Sequence, residues 1–494
     1  MRKKFTFRKS GISIDPKGES PYKAHEECGV FGIYADPSDD LNPATDTYYA
    51  LFALQHRGQE ACGIAVNNDG VISLHKDSGL VPDVFTDAIL EGLKGSMAIG
   101  HCRYSTTGST SRENAQPIKI GHIKGNLAIA HNGNLVNAMA LRREIELNGG
   151  IFHSSSDSEV IAYMIVRERL KTTSIEEAIK AAMQYMQGAY SMVVMSPRKL
   201  IAARDPNGFR PLVIGQIGKS YLFASETCAL DALGAKFVRD VRPGEIVVVE
   251  DGKLRSLMCG IEAKSSTCVF EYIYFARPDS VIDGAPVERA RHEAGKYLSL
   301  EHPVGADIVI GVPDSGISAA IGYSKCSGIP YGVGLIKNRY IARTFIQPGQ
   351  NRREKAVRIK LNALSEAVKG KRVIMVDDSI VRGTTSARIV NLLREAGATE
   401  VHMRISAPPF LYPCFFGTDI PDSEALIAHN RSVEEIREMI GVDSLGFLSL
   451  EATNRIAVGA HCTFCDACFS GNYPVAVPEK MEKNIFEQGL SHNE

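Results

Sequence analysis

Apolar and polar residues alternate in short runs along the first half of the chain. The alternation predicts strands at 29–34, 63–67, 97–99, 127–131, 191–195, 200–203, 212–214, 221–225 and 245–249. Helical spacing appears at 46–54, 137–148, 158–169 and 174–186. Many strands with a few interspersed helices predict a layered α+β domain. From about 270 to 450 the rhythm changes. Apolar strands at 308–312, 372–376 and 400–406 alternate with helices at 317–326 and 386–396, the pattern of βαβ units on a parallel sheet. The change of rhythm places a boundary near 260–267. The expected organisation is a leader over 1–27, a first domain over 28–260, a second over 261–450 and a tail over 451–494 wrapped against a domain.

Composition narrows the class. The 494 residues suffice for two to four domains, and 44% hydrophobic with 23% charged residues suits a soluble globular protein. A net charge of −1 supplies no global field for nucleic acid or an anionic membrane. No apolar run approaches the ~18 residues of a membrane span. The first 27 residues are basic and polar without an apolar core, so they read as a disposable or regulatory leader and not as a secretory signal. Eleven cysteines without such a signal imply a reducing, cytoplasmic setting. Three of them fall in Cys462-Thr-Phe-Cys465-Asp-Ala-Cys468.

Candidate chemistry begins at Cys28-Gly29-Val30-Phe31-Gly32, directly after Glu26-Glu27. It continues with Leu54-Gln-His-Arg57-Gly58-Gln, Gly100-His-Cys-Arg103, His131-Asn132-Gly133-Asn134 and Ser156-Asp157-Ser158-Glu159. Alone, the cysteine reads as a buried strand residue, and Asn-Gly as a turn. In this order the series resembles the glutamine amidotransferases of the N-terminal-nucleophile class. The resemblance implies an αββα sandwich and removal of the leader before Cys28. The freed α-amine, with a reference pKa of about 7.7–8.0, would then serve the thiol as general base. The resemblance also assigns Asn132 and Gly133 to an oxyanion hole, Arg103 to the glutamine α-carboxylate and Asp157 to its α-ammonium. Arg57 and Gly58 fall in the loop closing the site.

The run Arg372-Val-Ile-Met-Val-Asp377-Asp378-Ser379-Ile380-Val381-Arg382-Gly383-Thr384-Thr385-Ser386 is an apolar strand ending in two carboxylates. A Gly- and hydroxyl-rich loop follows and opens a helix, a natural phosphate cradle. It resembles the phosphoribosyl diphosphate (PRPP) signature of type I phosphoribosyltransferases, which implies an α/β domain with a parallel sheet. Asp377 and Asp378 would meet ribose hydroxyls and help hold Mg²⁺, and Ser315 of Val312-Pro313-Asp314-Ser315-Gly316 would lie near the Mg²⁺–pyrophosphate. Between Lys337 and Lys360 stand eight basic residues and one acid, Glu354. This stretch resembles the loop that closes over PRPP, with Lys337, Arg339 and Arg343 positioned to neutralise pyrophosphate.

Together the two halves resemble the glutamine PRPP amidotransferases over most of 28–470. That resemblance implies ammonia transfer from glutamine to C1 of PRPP, the committed step of purine synthesis. It also implies purine-nucleotide inhibitors and a homotetramer or homodimer. The run Val373–Thr385 separates this reading from hexosamine and asparagine synthases. A PRPP-sensing regulator without catalysis, or an iron–sulfur redox sensor, are the readings from other classes. The iron–sulfur form of the family, that of bacilli and animals, implies Cys268, Cys414, Cys465 and Cys468 as ligands of a [4Fe–4S] cluster. Spacing leaves zinc as a rival and Cys462 as an alternative ligand. Cys62, Cys102, Cys228, Cys259 and Cys326 are expected to be buried and inert.

Overall fold

A computed structural model describes residues 28–104, 112–338, 361–418, 420 and 423–478. The leader 1–27, Arg339, Arg343 and the last residues of the tail lie outside the described residues.

The first domain is built on β1 (Gly29–Tyr34), β2 (Ala61–Asn68), β3 (Val71–Ser78), β4 (Met97–Arg103), β5 (Ile118–His122), β6 (Gly125–Leu135), β7 (Gly188–Met195), β8 (Lys199–Arg204), β9 (Val213–Ile217), β10 (Ser220–Ala224), β11 (Lys236–Asp240), β12 (Glu245–Glu250) and β13 (Lys253–Met258). Two antiparallel sheets result, ordered β11-β9-β10-β1-β4-β2-β3 and β13-β12-β8-β7-β6-β5. Alternation along β1 explains the layering. Val30 packs between the sheets with Ile99, Ala130, Val193 and Val247, while Phe31 and Ile33 face the helix Pro43–Ala53 outside. Helices Ala138–Leu147, Asp157–Arg169 and Ile175–Met183 cover the other sheet. The layers are helix, sheet, sheet, helix, as expected.

Two departures from the sequence reading have physical causes. Strands β3, β5, β11 and β13 escaped notice, and each is a sheet edge. β11 and β13 are largely exposed, so cross-strand hydrogen bonds hold them without an apolar signature. β6 also runs four residues further than the 127–131 segment, so Asn132 and Gly133 sit inside a strand and not in a turn.

The second domain begins with β14 (Thr267–Cys268) and the small pair β15 (Val281–Ile282) and β16 (Ala285–Pro286). β17 (Ile308–Gly311) follows, then the ribbon of β18 (Leu335–Lys337) and β19 (Leu361–Ala363). After β20 (Arg372–Asp377), β21 (Glu400–Ile405) and β22 (Ser444–Phe447) comes β23 (Phe464–Cys465). β17-β20-β21-β22 form a parallel sheet. Helices Val287–Glu301, Gly316–Ser327, Thr384–Glu395 and Val433–Ile440 pack around it. The first and last of these, and β22, were not among the elements expected from the sequence. Val287–Glu301 is rich in charge, and buries Arg291 to cap the carbonyls of Tyr272, Tyr274 and Ala276. Cys326 corrects an expectation: it is exposed, whereas Cys62, Cys102, Cys228 and Cys259 are buried.

The domains meet across a polar and aromatic joint. Arg204 pairs with Asp283 at 2.7 Å, both buried. Phe209 stacks on Phe416 with centroids 4.2 Å apart. The tail returns to this joint, where β23 pairs in parallel with β14 and sets Cys268 opposite Cys465.

Candidate active site

Cys28 stands one residue before β1 and is 6% exposed. Its Sγ donates to the Tyr104 carbonyl at 3.4 Å. Its own carbonyl accepts from Arg57 Nε at 3.1 Å. Arg57 is wholly buried and paired with Glu226 at 2.6 Å and Glu271 at 2.7 Å. Arg57, expected with Gly58 in the loop closing the site, lies against Cys28, its guanidinium a buried clamp on the backbone there. Burial works against the Glu226 charge, but His56 and Arg57 outweigh it and hold the carboxyl well below its ordinary range. Gly58 lies against the end of β4, where a Cβ would come 2.5 Å from the Cys102 carbonyl carbon.

The opposite sheet supplies the polar donors. β1 and β4 pack onto β6, and His101 on β4 bonds the His131 carbonyl on β6 at 3.0 Å. Burial pushes His101 down to about 3, so the ring is neutral. Asn132 and Gly133 pair with Ser191 and Tyr190 on β7. Gly133 has φ +140°, and a Cβ would fall 2.1 Å from the Ala189 carbonyl oxygen, so only glycine fits. Asn132 is 1% exposed, yet its Nδ2 has no hydrogen-bond partner among the described residues. A buried unsatisfied donor costs about 1–3 kcal/mol. An anion or carbonyl oxygen arriving with a ligand would recover that cost. Arg103 ends β4 and is buried. Asp157 opens the helix Asp157–Arg169, accepts from the Leu135 amide at 3.0 Å and lies 3.9 Å from His131. Three neighbouring strands and one helix start thus bring Cys28, Arg103, Asn132, Gly133 and Asp157 to one end of the sandwich.

A second acidic centre lies at the carboxyl ends of β17 and β20, where ligands of open α/β sheets bind. Gly316 starts its helix hard against β20, with a Cβ position 2.3 Å from the Val376 carbonyl oxygen. Ser315 is thereby delivered to Asp378 and donates to its Oδ2. Ser379 donates to the other oxygen at 2.6 Å, and the Asp378 amide donates to Asp377 at 2.9 Å. Both carboxylates are buried. Gly383, at φ +76°, turns the loop into the helix Thr384–Glu395, leaving Arg382 and Thr384 exposed, Thr385 half-buried and Ser386 buried. Lys337 pairs with Asp314 at 2.7 Å. Asp314 was passed over as a site residue, although it stands beside Ser315 in the loop singled out.

The thiols of Cys268, Cys414, Cys465 and Cys468 all line one cavity walled by Phe209, Phe270, Phe410 and Phe416, with Arg210 at its side. Burial raises Cys465 to about 12; Cys468 is also raised well above its ordinary range, by burial and then by Cys414, Cys268 and Cys465 beside it. Cys462 stands apart, near Asp283. Among the described residues no three Cys, His, Asp or Glu side chains converge on the position of one ion.

The chain thus joins a buried cysteine and a buried, unpartnered amide donor in one domain to a parallel sheet ending in a hydroxyl-braced carboxylate pair in the other. Residues 101–232 match the glutamine amidotransferase domain family. The amidophosphoribosyltransferase of Methanocaldococcus jannaschii is 52% identical over 465 residues, covering 91% of this chain and 98% of that one. That of Bacillus subtilis is 50% identical over 458 residues, covering 92% and 95%. The structure of the B. subtilis glutamine PRPP amidotransferase complexed with ADP and GMP superposes with a TM-score of 0.85 at 49% identity, covering 92% of this chain and 98% of that one. The chain belongs to the amidophosphoribosyltransferase family, enzymes of the committed step of purine biosynthesis that move ammonia from glutamine to C1 of PRPP. The reading as a regulator without catalysis is not favoured.

Proposed function

We propose that this chain performs that reaction with Cys28 as the glutaminase nucleophile, exposed as residue one by cleavage after Glu27. The unpartnered Asn132 Nδ2 at the same end of the sandwich carries the reading. Arg103 and Asp157 hold the α-carboxylate and α-ammonium of glutamine, and the thiolate attacks the side-chain amide. Asn132 Nδ2 and the Gly133 amide receive the developing oxyanion. The Cys28 α-amine takes the thiol proton and returns it to leaving ammonia, and water then hydrolyses the thioester.

PRPP sits over Asp377 to Ser386. Its ribose hydroxyls take the places that the Ser315 and Ser379 hydroxyls now occupy on Asp378. The amides and hydroxyls of Gly383 to Ser386 hold the 5′-phosphate. Lys337, Arg339 and Arg343 screen the departing pyrophosphate, and Arg382 flanks the loop. Hard oxygens of Ser315, Asp377 and Asp378 suit Mg²⁺, which when bound neutralises pyrophosphate charge. Cys268, Cys414, Cys465 and Cys468 suit a [4Fe–4S] cluster in a structural role, because their soft thiols line one cavity. Purine nucleotides act as inhibitors, as the ADP and GMP bound to the B. subtilis enzyme suggest. We further propose a cytoplasmic homo-oligomer; no helix among the described residues is long and apolar enough to cross a membrane.

Intact mass and glutamine-dependent pyrophosphate release from PRPP, on anaerobically purified protein, test the reading together. A chain starting at Cys28 and active with glutamine is expected, with iron and sulfide in equal amounts. A chain retaining Met1 and active only with ammonia overturns the nucleophile. Zinc without iron overturns the cluster.

A further inference from the structure

Glu271 belongs to the second domain, three residues after Cys268 and at the start of the short helix Glu271–Phe275. It is wholly buried. Its Oε1 accepts from Arg57 at 2.7 Å and its Oε2 from the other terminal nitrogen of Arg57 at 3.0 Å. The same Oε1 lies 3.5 Å from Arg210, which donates to the Phe416 carbonyl at 3.1 and 2.8 Å. Two buried guanidinium groups, Arg57 and Arg210, and two buried carboxylates, Glu226 and Glu271, thus share one cluster, with His56 also on Glu226. Two parallel bonds fix the plane of a guanidinium. With that plane fixed, the remaining Nε of Arg57 points at the Cys28 carbonyl, 3.1 Å away.

We infer that Glu271, a residue outside the glutaminase domain, is a positioning residue for the Cys28 nucleophile, acting through Arg57. The inference rests on the proposed role of Cys28. Arg103 on β4 and Asp157 at the start of the helix Asp157–Arg169, the proposed anchors of glutamine, lie on other elements. Disturbing Glu271 therefore shifts the attacking thiol without loosening the substrate. An ångström-scale misplacement of a nucleophile costs up to about 10²-fold in rate.

The test compares Glu271→Gln, Glu271→Asp, Arg57→Lys and Cys28→Ala in the full-length enzyme with PRPP, using glutamine or ammonium as nitrogen donor. For Glu271→Gln the glutamine-dependent kcat should fall about tenfold or more. The KM for glutamine and the ammonia-dependent rate should stay within about twofold. Alkylation of Cys28 by iodoacetamide should slow in parallel, and Glu271→Asp should recover part of the loss. An unchanged kcat, or glutamine and ammonia rates falling together, overturns the inference. Arg57→Lys carries the same test from within the first domain should the glutamine variant fail to accumulate. Cys28→Ala separates the two readings. If it keeps glutamine-dependent activity, the nucleophile itself is wrong. If it loses only that activity while Glu271→Gln behaves as wild type, the positioning role alone fails.

Discussion

The two candidate sites are built by opposite strategies. The glutaminase site is fixed by backbone: strand register places Asn132 and Gly133, a carbonyl leaves no room for a Cβ at Gly133, and a buried guanidinium holds Cys28. One unsatisfied donor stands ready. The transferase site is fixed by side-chain hydroxyls. Ser315 and Ser379 brace Asp378 while Arg382, Thr384 and Lys337 remain exposed. A neutral amide must be held rigidly while charge develops on a single oxygen, which favours donors that do not move. A polyanion brings its own charge and water, which favours exposed cations and exchangeable hydroxyl contacts.

Variants in each site should sharpen or break that contrast. Cys28→Ala is expected to remove glutamine-dependent synthesis by about 10³-fold or more, with ammonia-dependent synthesis retained in a pyrophosphate-release assay. Asn132→Ala should cost about 10²–10³ in glutamine-dependent kcat. Because Nδ2 has no partner to lose, the thermal midpoint should hold or rise, which a melting curve checks. Asp378→Asn should lower the glutamine- and ammonia-dependent rates alike, by about 10²-fold. A selective loss with glutamine would show that the sites are not chemically separate. At the joint, Asp283→Asn strands Arg204 and should destabilise by about 3–5 kcal/mol in chemical denaturation. The smallest effect concerns acid. Burial opposes the charge of Glu245, but Arg239 and Arg242 hold its carboxyl at about 2, below the ordinary 4.5. Its contribution is full above about 4.5 and is lost as pH falls toward 2. Glu245→Gln should therefore flatten the acid limb of the stability profile.

What the sequence disclosed follows burial. Central strands such as β1, β7, β8 and β12 alternate or run apolar and were legible. The four edge strands were not, because neighbours' hydrogen bonds, and not a buried face, define them. Candidate residues carried by local motifs, such as Asn132-Gly133 and Asp377-Asp378, stand out in the sequence, and the structure buries all four. Arg57 was legible as part of a motif, but its partner Glu271 was not, because an ion pair between segments over two hundred positions apart leaves no periodic trace. The gathering of Cys268, Cys414, Cys465 and Cys468 around one cavity was expected only by resemblance, since spacing left Cys462 as an equal candidate.

The parallel pairing of β14 with β23 bears on how the molecule is made. Thr267 and Cys268 leave the ribosome long before Phe464 and Cys465, their partners in register. Until Phe464 to Cys468 have been synthesised, the joint lacks its closing strand and the cavity lacks two of its thiols. A transcript truncated before Phe464 encodes both catalytic motifs but not the clasp between them. The joint thus closes only once a segment synthesised well after Asp377 and Asp378 is available to pair with β14.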